Sequence, residues 1–214
     1  GMTKLLRKEI CLTAHPTSLV FSFLGCLVLV PAYPYSVIFL FGCLAPYITF
    51  VNARETNDPW YTAMLPLTKS ESVLGKVLLM VALQLFQLLF SVPFALIRNW
   101  LQIANNPVGL DATVAWYGFA LIVYAVFDLV FLTSFYQSGY KAGRAFLTAS
   151  MPLVLLMIGI EATAHLPALA WLDSVQPEDL LCQLPILAVG IIAYAALLSA
   201  AYRISVKRYE KVDL

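Results

Sequence analysis

The sequence predicts an all-α, polytopic membrane protein with six transmembrane helices and both termini in the cytoplasm. Hydrophobic residues make up 61% of the 214 residues and charged residues only 12%, whereas soluble domains carry about 25% charged residues. Six apolar stretches come close to the roughly 20 residues that a helix needs to cross a bilayer. The basic residues are confined almost entirely to one side of these stretches. Composition, span length and charge distribution therefore agree.

The connections between the six apolar stretches leave no room for a large extramembrane domain. The spans are predicted at Thr17–Tyr33, Tyr35–Val51, Val77–Ile97, Thr113–Tyr136, Ala145–Leu166 and Gln183–Tyr202. The segment Pro31–Pro34 joins the first two as a tight hairpin. Four spans contain an internal proline, namely Pro46, Pro93, Pro152 and Pro185. Because neighbouring helices can satisfy the freed backbone groups, these prolines predict kinks rather than breaks.

The distribution of charge predicts the direction of the spans. Of the 13 lysines and arginines, twelve lie in the segments assigned to one side, and only Arg98 lies on the other. By the positive-inside rule, this bias places both termini in the cytoplasm and requires an even number of spans. Trp60, Trp100, Trp116 and Trp171 lie at or beyond the span ends, which predicts interfacial anchors.

Two segments outside the spans are predicted to lie along the membrane surface. Met2–His15 has apolar residues on one helical face and basic residues elsewhere, which is typical of an amphipathic interfacial helix. Glu161–Cys182 contains four acidic residues and no lysine or arginine. Its apolar stretch Leu166–Leu172 is too short to span a bilayer, so we expect a short interfacial or re-entrant helix on the extracellular side.

The longest cytoplasmic segment, Asn52–Lys76, is predicted to form a compact protrusion. Asp58 can cap a short helix whose first residue is Pro59. A second start signal at Ser70 leads directly into the third span. A protrusion of this kind suits docking onto a partner, whereas a simple connector, the alternative, could be much shorter.

Motifs for catalysis and cofactor binding are missing from the sequence. Gly75-Lys76 lacks the upstream glycine of a phosphate-binding loop. The four cysteines and two histidines have no metal-ligand spacing, and no hydrolase or protease motif is present. The net charge of +1 gives no basis for binding nucleic acid. We therefore expect no enzyme activity, no metal and no cofactor on this chain.

A polar cluster within the spans is the one candidate site in the bilayer. Asp128 is the only carboxylate deep within a span, roughly 12 Å from the cytoplasmic end. Gln84 and Gln87 lie at a similar depth, roughly 10 and 15 Å, and share one helical face with Ser91. With Tyr124, these residues could line a substrate path in which Asp128 attracts a cationic or amphipathic substrate. Alternatively, Asp128 is a neutral or amide-bonded group that holds helices together.

Three stretches resemble motifs of one transporter family. Leu65–Lys69, followed by Gly75-Lys76, resembles the signature at the third-span entrance of type-2 ABC transporter permeases. Phe135–Arg144 resembles the aromatic and glycine-rich stretch after their fourth span, and Arg208–Leu214 resembles their ending. The resemblance covers essentially the whole chain, and it is closest to the small six-span permeases that include phenol-soluble modulin exporters.

The resemblance implies a permease subunit of an ATP-driven exporter in a bacterial cell membrane. Such a subunit pairs with a second copy, most simply as a homodimer, and binds separate cytoplasmic ATPase subunits that hold ATP and magnesium. The expected substrate is an amphipathic peptide or a similar hydrophobic or lipid-like molecule, which is moved outward. The alternative is a non-transporting membrane scaffold or sensor tethered to an ATPase.

The resemblance also assigns roles within a single transmembrane domain of residues 2–214. Residues 2–15 would form the interfacial helix, 52–72 the segment that couples to the ATPase, and 161–182 the extracellular gate. The coupling residues would be Asp58, Trp60, Leu65, Pro66, Leu67, Lys69 and Glu71. Trp171 and Leu172 would belong to the gate.

Overall fold

The computed structural model describes residues 1–13, 16–24, 35–56, 58–101 and 110–212. Within these ranges the chain is helical and contains no strand. The α-helices are α1 (Met2–Lys8), α2 (Pro16–Phe23), α3 (Ser36–Glu55), α4 (Asp58–Ala63), α5 (Lys69–Trp100), α6 (Val114–Gln137), α7 (Ala142–Thr163) and α8 (Pro177–Tyr209). A π-helical turn, Glu9–Thr13, follows α1, and a 3₁₀ helix, Pro167–Asp173, precedes α8.

Five helices of the described chain, α3 and α5 to α8, are long and apolar enough to cross a membrane. They correspond to the second to sixth predicted spans, which confirms a polytopic membrane protein. Of the first predicted span, Thr17–Tyr33, the structure describes residues up to 24, where α2 ends at Phe23. The hairpin Pro31–Pro34 lies outside the described residues. The total of six spans and the cytoplasmic position of both termini remain predictions.

The helices continue through their internal prolines, as expected. Pro46, Pro93, Pro152 and Pro185 each lie inside a helix of at least 20 residues. Helix α5 has 32 residues and begins at Lys69, two turns before the predicted start of its span. At 1.5 Å per residue it is about 48 Å long, more than the roughly 30 Å of a bilayer core. Its ends therefore extend beyond the hydrocarbon region.

The start of α5 differs from the predicted start at Ser70. Thr68 is the N-cap, and its side-chain oxygen accepts from the backbone N–H of Glu71 at 3.2 Å. The Glu71 carboxylate in turn accepts from the backbone N–H of Thr68 at 2.8 Å. This reciprocal capping box satisfies two of the helix's free N–H groups, which a cap at Ser70 would leave unpaired.

The first helix and α4 also differ in detail from the sequence prediction. The predicted amphipathic helix Met2–His15 is an α-helix only to Lys8 and then widens into the π-helical turn. His15 lies outside the described residues. In α4, Asp58 is the first helical residue rather than the residue before it, a shift of one position at a helix end.

Helix α6 is the centre of the bundle, and α8 packs closely along it. The closest approach is at two glycines: a Cβ added to Gly190 would lie 2.5 Å from the carbonyl oxygen of Gly118. A Cβ added to Gly118 would lie 2.7 Å from the carbonyl oxygen of Ile186. Small residues that allow close backbone approach are typical of helix interfaces in membranes. This crossing fixes the position of α8.

One of the four predicted tryptophan anchors is a core residue. Trp116 is fully buried, with its ring 4.9 Å from Phe39 and 4.9 Å from Tyr117. The other three are exposed, by 69% for Trp60, 81% for Trp100 and 37% for Trp171. Trp116 lies in the first turn of α6, where α3 packs against α6. Position at a span end therefore does not make it an interfacial anchor.

Candidate functional site

The end of the bundle that contains the predicted coupling segment has a ring of four alternating charges. Lys8 binds Glu9 at 2.9 Å and Asp58 at 3.0 Å, and Lys76 binds Glu9 at 2.6 Å and Asp58 at 2.9 Å. Each cation therefore contacts both carboxylates, and each carboxylate contacts both cations. Lys8 also donates to the Thr62 hydroxyl at 2.9 Å. We call Lys8, Glu9, Asp58 and Lys76 the ion-pair ring.

The ion-pair ring is almost completely removed from solvent. The Lys76 side chain is 0% exposed, Glu9 2%, Asp58 5% and Lys8 12%. Burial by itself raises the pKa of Asp58, but the ammonium groups of Lys76 and Lys8 outweigh it and bring that pKa below its ordinary value. Burial lowers the pKa of Lys8, yet Glu9 and Asp58 raise it overall. Both groups thus remain charged because each has opposite charges beside it.

The ring connects three helices that the chain separates. Glu9 begins the π-helical turn after α1, Asp58 begins α4, and Lys76 lies in the second turn of α5. The sequence analysis selected Asp58 as a coupling residue but did not select Lys8, Glu9 or Lys76. A signal for Glu9 exists in the sequence: it follows Leu5 by four positions and so lies on the apolar face of the first helix.

Above the ring, α4 and the residue directly after it present large apolar side chains to their surroundings. Trp60 is 69% exposed, Tyr61 46% and Met64 62%. The helix has only six residues, too few to be stable by itself in water. The contacts of Asp58 and Thr62 with Lys8 hold it against the rest of the chain. The result is an exposed apolar surface on a fixed support.

The remaining predicted coupling residues divide between two environments. Leu65 and Leu67 are half-buried and, with the exposed Pro66, line a groove of about 490 Å³ between α1 and the start of α5. Lys69 instead binds the end of α8, donating to the carbonyl oxygens of Tyr209 at 3.2 Å and Val212 at 2.9 Å. A cation at these carbonyls complements the helix dipole. Glu71, as described above, caps α5.

Four of the five predicted intramembrane residues form two hydrogen-bonded groups that α5 joins, and we call the two groups together the Asp128 network. The Gln84 side-chain amide donates to Asp128 Oδ1 at 2.7 Å and accepts from the Tyr194 hydroxyl at 3.0 Å. The Tyr124 hydroxyl donates to Gln87 Oε1. Gln87 also donates to the backbone carbonyl of Ile38 at 3.2 Å. The network therefore connects α3, α5, α6 and α8.

The network lies inside the bundle rather than along an open path. Asp128, Gln84, Gln87 and Tyr124 are all 0% exposed. Asp128 Oδ2 has no hydrogen-bond partner among the described residues. Tyr194, from α8, was not identified from the sequence. The only signal for Tyr194 in the sequence is that it brings a hydroxyl group into a mostly apolar span.

Ser91 is connected through Tyr117 to an apolar groove in the half of the bundle away from the ring. It shares a 2.7 Å hydrogen bond with Tyr117. Tyr117 lines a groove of about 440 Å³ between α5, the start of α6, and α8. The floor and walls are mainly aliphatic, including Leu88, Val92 and Leu187. The groove has the size and apolar character of a site for a hydrocarbon segment.

The end of the bundle opposite the ring is closed by a second polar network. Arg98, the single basic residue on this side, binds Asp111 at 3.2 Å and lies 5.1 Å from the ring centre of Tyr35. The backbone N–H of Asp111 donates to Asp173 Oδ1 at 2.6 Å. The predicted short helix is thereby fastened to the start of α6. Burial, followed by the nearby carboxylates Asp111 and Glu161, raises the pKa of Asp173 above its ordinary value.

The two predicted gate residues lie within this closure. Leu172 is buried, and its carbonyl oxygen accepts from the Thr113 hydroxyl at 2.9 Å. Trp171 is 37% exposed, and its carbonyl oxygen accepts from the Gln183 side chain at 2.7 Å. Gln183 also accepts from the backbone N–H of Ala115 at 3.1 Å. Gln183, in the second turn of α8, thus joins α8 to the first turn of α6 and to the short helix, a role that the sequence does not indicate.

Comparison with known proteins gives one match. A family model described as ABC-2 family transporter protein matches residues 4–210. No curated protein and no solved structure matches the chain. The match covers every described helix from α1 to α8 except the first two residues of α1.

Proposed function

Because the chain belongs to the ABC-2 family transporter proteins, which are membrane components that work with an ABC ATPase, we propose that it is an exporter permease. In this proposal the chain moves an amphipathic peptide or a similar hydrophobic substrate outward across a bacterial cell membrane. It works as a homodimer, and a separate ATPase subunit supplies the energy. The proposal is based mainly on one observation: the ion-pair ring holds α4 in place while the apolar surface of α4 is exposed.

The α4 surface supports docking of an ATPase. An exposed Trp and Tyr on one short cytoplasmic helix, and the exposed Met64 directly after it, are the residue types that interfaces favour. The ring beneath α4 holds it against α1 and α5, so a force on Trp60 would be passed to the spans. A flexible connector would absorb such a force.

The apolar groove between α5, α6 and α8 supports a hydrophobic substrate. It lies in the half of the bundle that the charge distribution places on the extracellular side. Its aliphatic walls suit the apolar face of an amphipathic helix or an acyl chain. The Asp128 network, by contrast, is sealed within one bundle, and its contacts favour the interpretation that it joins helices.

Co-purification tests ATPase docking. The permease is expressed together with the ABC ATPase subunits of the same genome, one at a time, and the tagged permease is isolated in detergent. Trp60→Asp should abolish recovery of the ATPase because a charge at the centre of an apolar interface must be desolvated. Trp100→Asp is the matched control, since Trp100 is also exposed but lies at the far end of α5 from α4. Recovery of the ATPase with Trp60→Asp would refute docking through α4.

Transport distinguishes a permease from a scaffold or sensor. Inside-out vesicles containing the complex are given ATP and a fluorescently labelled amphipathic helical peptide. An exporter accumulates the peptide inside the vesicles, and Trp60→Asp abolishes accumulation. A scaffold binds the ATPase but accumulates neither this peptide nor a fluorescent lipid offered in the same way.

A further inference from the structure

A carboxylate on the apolar face of the first helix requires an explanation. Glu9 follows Leu6 by three and Leu5 by four positions, so the three side chains share one face. The Glu9 side chain is accordingly buried and only 2% exposed. A charged residue on the buried face of a surface helix is unfavourable unless it is paired, and the pairing observed here is unusually complete.

The structure provides a site shaped for Glu9. A Cβ added to Gly75 would lie 3.3 Å from both Cγ and Oε1 of Glu9, closer than ordinary contacts. The absence of a side chain at residue 75 therefore makes room for the carboxylate. The next residue, Lys76, is fully buried and binds Glu9 at 2.6 Å. Gly75 and Lys76 together form a seat for a residue that lies 67 positions away in the chain.

The π-helical turn places Glu9 in this seat. The α-helical pattern of α1 ends at Lys8, and the wider turn begins at Glu9 itself. Irregularities of this type are rare and frequently occur at functional positions. Lys8 and Glu9 are adjacent in sequence, and both reach the ring. The turn thus lies directly beside the two residues that the first helix contributes.

The geometry points to a lock that joins three helices into one moving unit. We propose that the ion-pair ring keeps α1, α4 and the start of α5 in fixed register while the ATPase moves α4. The proposal rests on the proposed docking of α4 to an ATPase. It makes Glu9 and Lys76 positioning residues for transport, and it makes the amphipathic first helix part of the moving unit rather than a passive membrane anchor.

The physical reason is that two of the four contacts in the ring join the first segment to α4 and α5. Displacing α1 from α4 and α5 would separate Lys8 from Asp58, and Glu9 from Lys76. Each buried charge would then keep only one of its two opposite charges, which is unfavourable because less of its desolvation is compensated. Buried ion pairs are often no more stabilising than apolar packing, and fixing register is their best-supported role.

Distance measurements on the complex with its ATPase test the lock. The native cysteines are replaced, spin labels are attached at Lys4→Cys on α1 and Ala63→Cys on α4, and distances are measured by pulsed EPR. A second pair joins Ala63→Cys to Leu147→Cys on α7. Addition of ATP with vanadate should change the 63–147 distance and leave the 4–63 distance unchanged. All three label sites are exposed.

The double variant Glu9→Gln with Lys76→Met removes one positive and one negative charge and leaves the Lys8–Asp58 pair neutral overall. In this variant ATP with vanadate should change the 4–63 distance as well. ATP hydrolysis by the complex should persist while peptide accumulation in vesicles is lost. The single variant Lys76→Arg keeps the positive charge, so its 4–63 distance should stay unchanged when ATP with vanadate is added. Arg7→Met, which removes an exposed charge from α1, should behave as the unmodified chain does.

The outcomes separate this inference from the proposed function. If the 63–147 distance changes and the 4–63 distance changes with it in the unmodified chain, the lock is refuted and ATPase coupling stands. If the double variant keeps a fixed 4–63 distance and full peptide accumulation, the lock is also refuted. If no ATPase binds, or the 63–147 distance does not respond to ATP with vanadate, the proposed function fails and the lock fails with it.

Discussion

Replacing Gly190 by Ala should weaken the packing of α8 against α6. The new Cβ would lie 2.5 Å from the carbonyl oxygen of Gly118, whereas ordinary contacts begin at 3.4 Å. The helices must therefore move apart by about 0.9 Å at the crossing. Neither neighbouring atom is the end of a flexible side chain, so the strain cannot be relieved locally. Overpacking of this kind costs about 1–3 kcal/mol.

The measurement is equilibrium unfolding of detergent-solubilised protein by SDS, followed by tryptophan fluorescence. Gly159→Ala is the matched control, because a Cβ at this helical position of α7 meets no atom within 4 Å. Both variants gain the higher helix propensity of alanine, worth up to about 1 kcal/mol. The difference between them therefore isolates the clash. We expect Gly190→Ala to be less stable than Gly159→Ala by about 1–3 kcal/mol.

Equal stability of the two variants would refute this reasoning, because it would mean that α8 can shift without loss. A smaller free energy of unfolding for Gly159→Ala would contradict it as well. Gly118→Ala provides a second test of the same crossing, since its Cβ would meet the backbone of Ile186 at 2.7 Å. Its effect should have the same sign and similar size.

Three further predictions follow from the other polar contacts. Asp128→Leu removes the acceptor of the Gln84 amide and should lower the free energy of unfolding by about 1–2 kcal/mol, while Asp128→Asn keeps an oxygen there and should cost less. Arg98→Met leaves the buried Asp111 carboxylate without this cation and should cost about 3–5 kcal/mol, whereas Arg98→Lys should cost less. Because the pKa of Asp173 is raised in the folded state, the folded state holds this proton more tightly. Lowering the pH through that pKa should therefore increase the free energy of unfolding. This increase should occur between neutral pH and about pH 4, and Asp173→Asn should remove it.

The same SDS unfolding assay checks all three. If Asp128→Asn destabilises as much as Asp128→Leu, the hydrogen bond to Gln84 is not the stabilising contact. Equal costs for Arg98→Met and Arg98→Lys would show that charge is unimportant at this position. A pH dependence in Asp173→Asn that matches the unmodified chain would assign the titration to another group.

Some features of the chain are determined by local pattern, and these are visible in the sequence. Helices α3 and α5 to α8 could be located because apolar length is a property of each segment alone. The six-residue helix α4 could be located from Asp58-Pro59 for the same reason. Depth along neighbouring spans placed Asp128, Gln84 and Gln87 at one level. The start of α5 was predicted at Ser70, but the helix begins at Lys69 with Thr68 as its cap, because the reciprocal bond between Thr68 and Glu71 favours that cap.

Other features depend on which helix face meets which neighbour, and sequence periodicity does not contain that information. Trp116 looks like an interfacial anchor until α3 covers it. Lys69 looks like part of a docking surface until the end of α8 is placed beside it. The partner Tyr194 and the close contact of Gly118 with Gly190 both depend on how α8 lies along α6. These contacts exist only once the helices are packed.

By itself, the sequence determined that the chain is a helical membrane protein, where most of its spans lie and which transporter family it resembles, because hydrophobicity, charge bias and short motifs are local. The tertiary structure decided how α1, α4 and the start of α5 are joined. Glu9, Asp58 and Lys76 lie far apart in the chain, and no local rule selects them as partners. Burial makes each charge costly alone and favourable only in the presence of the others, so the ring is a property of the folded chain.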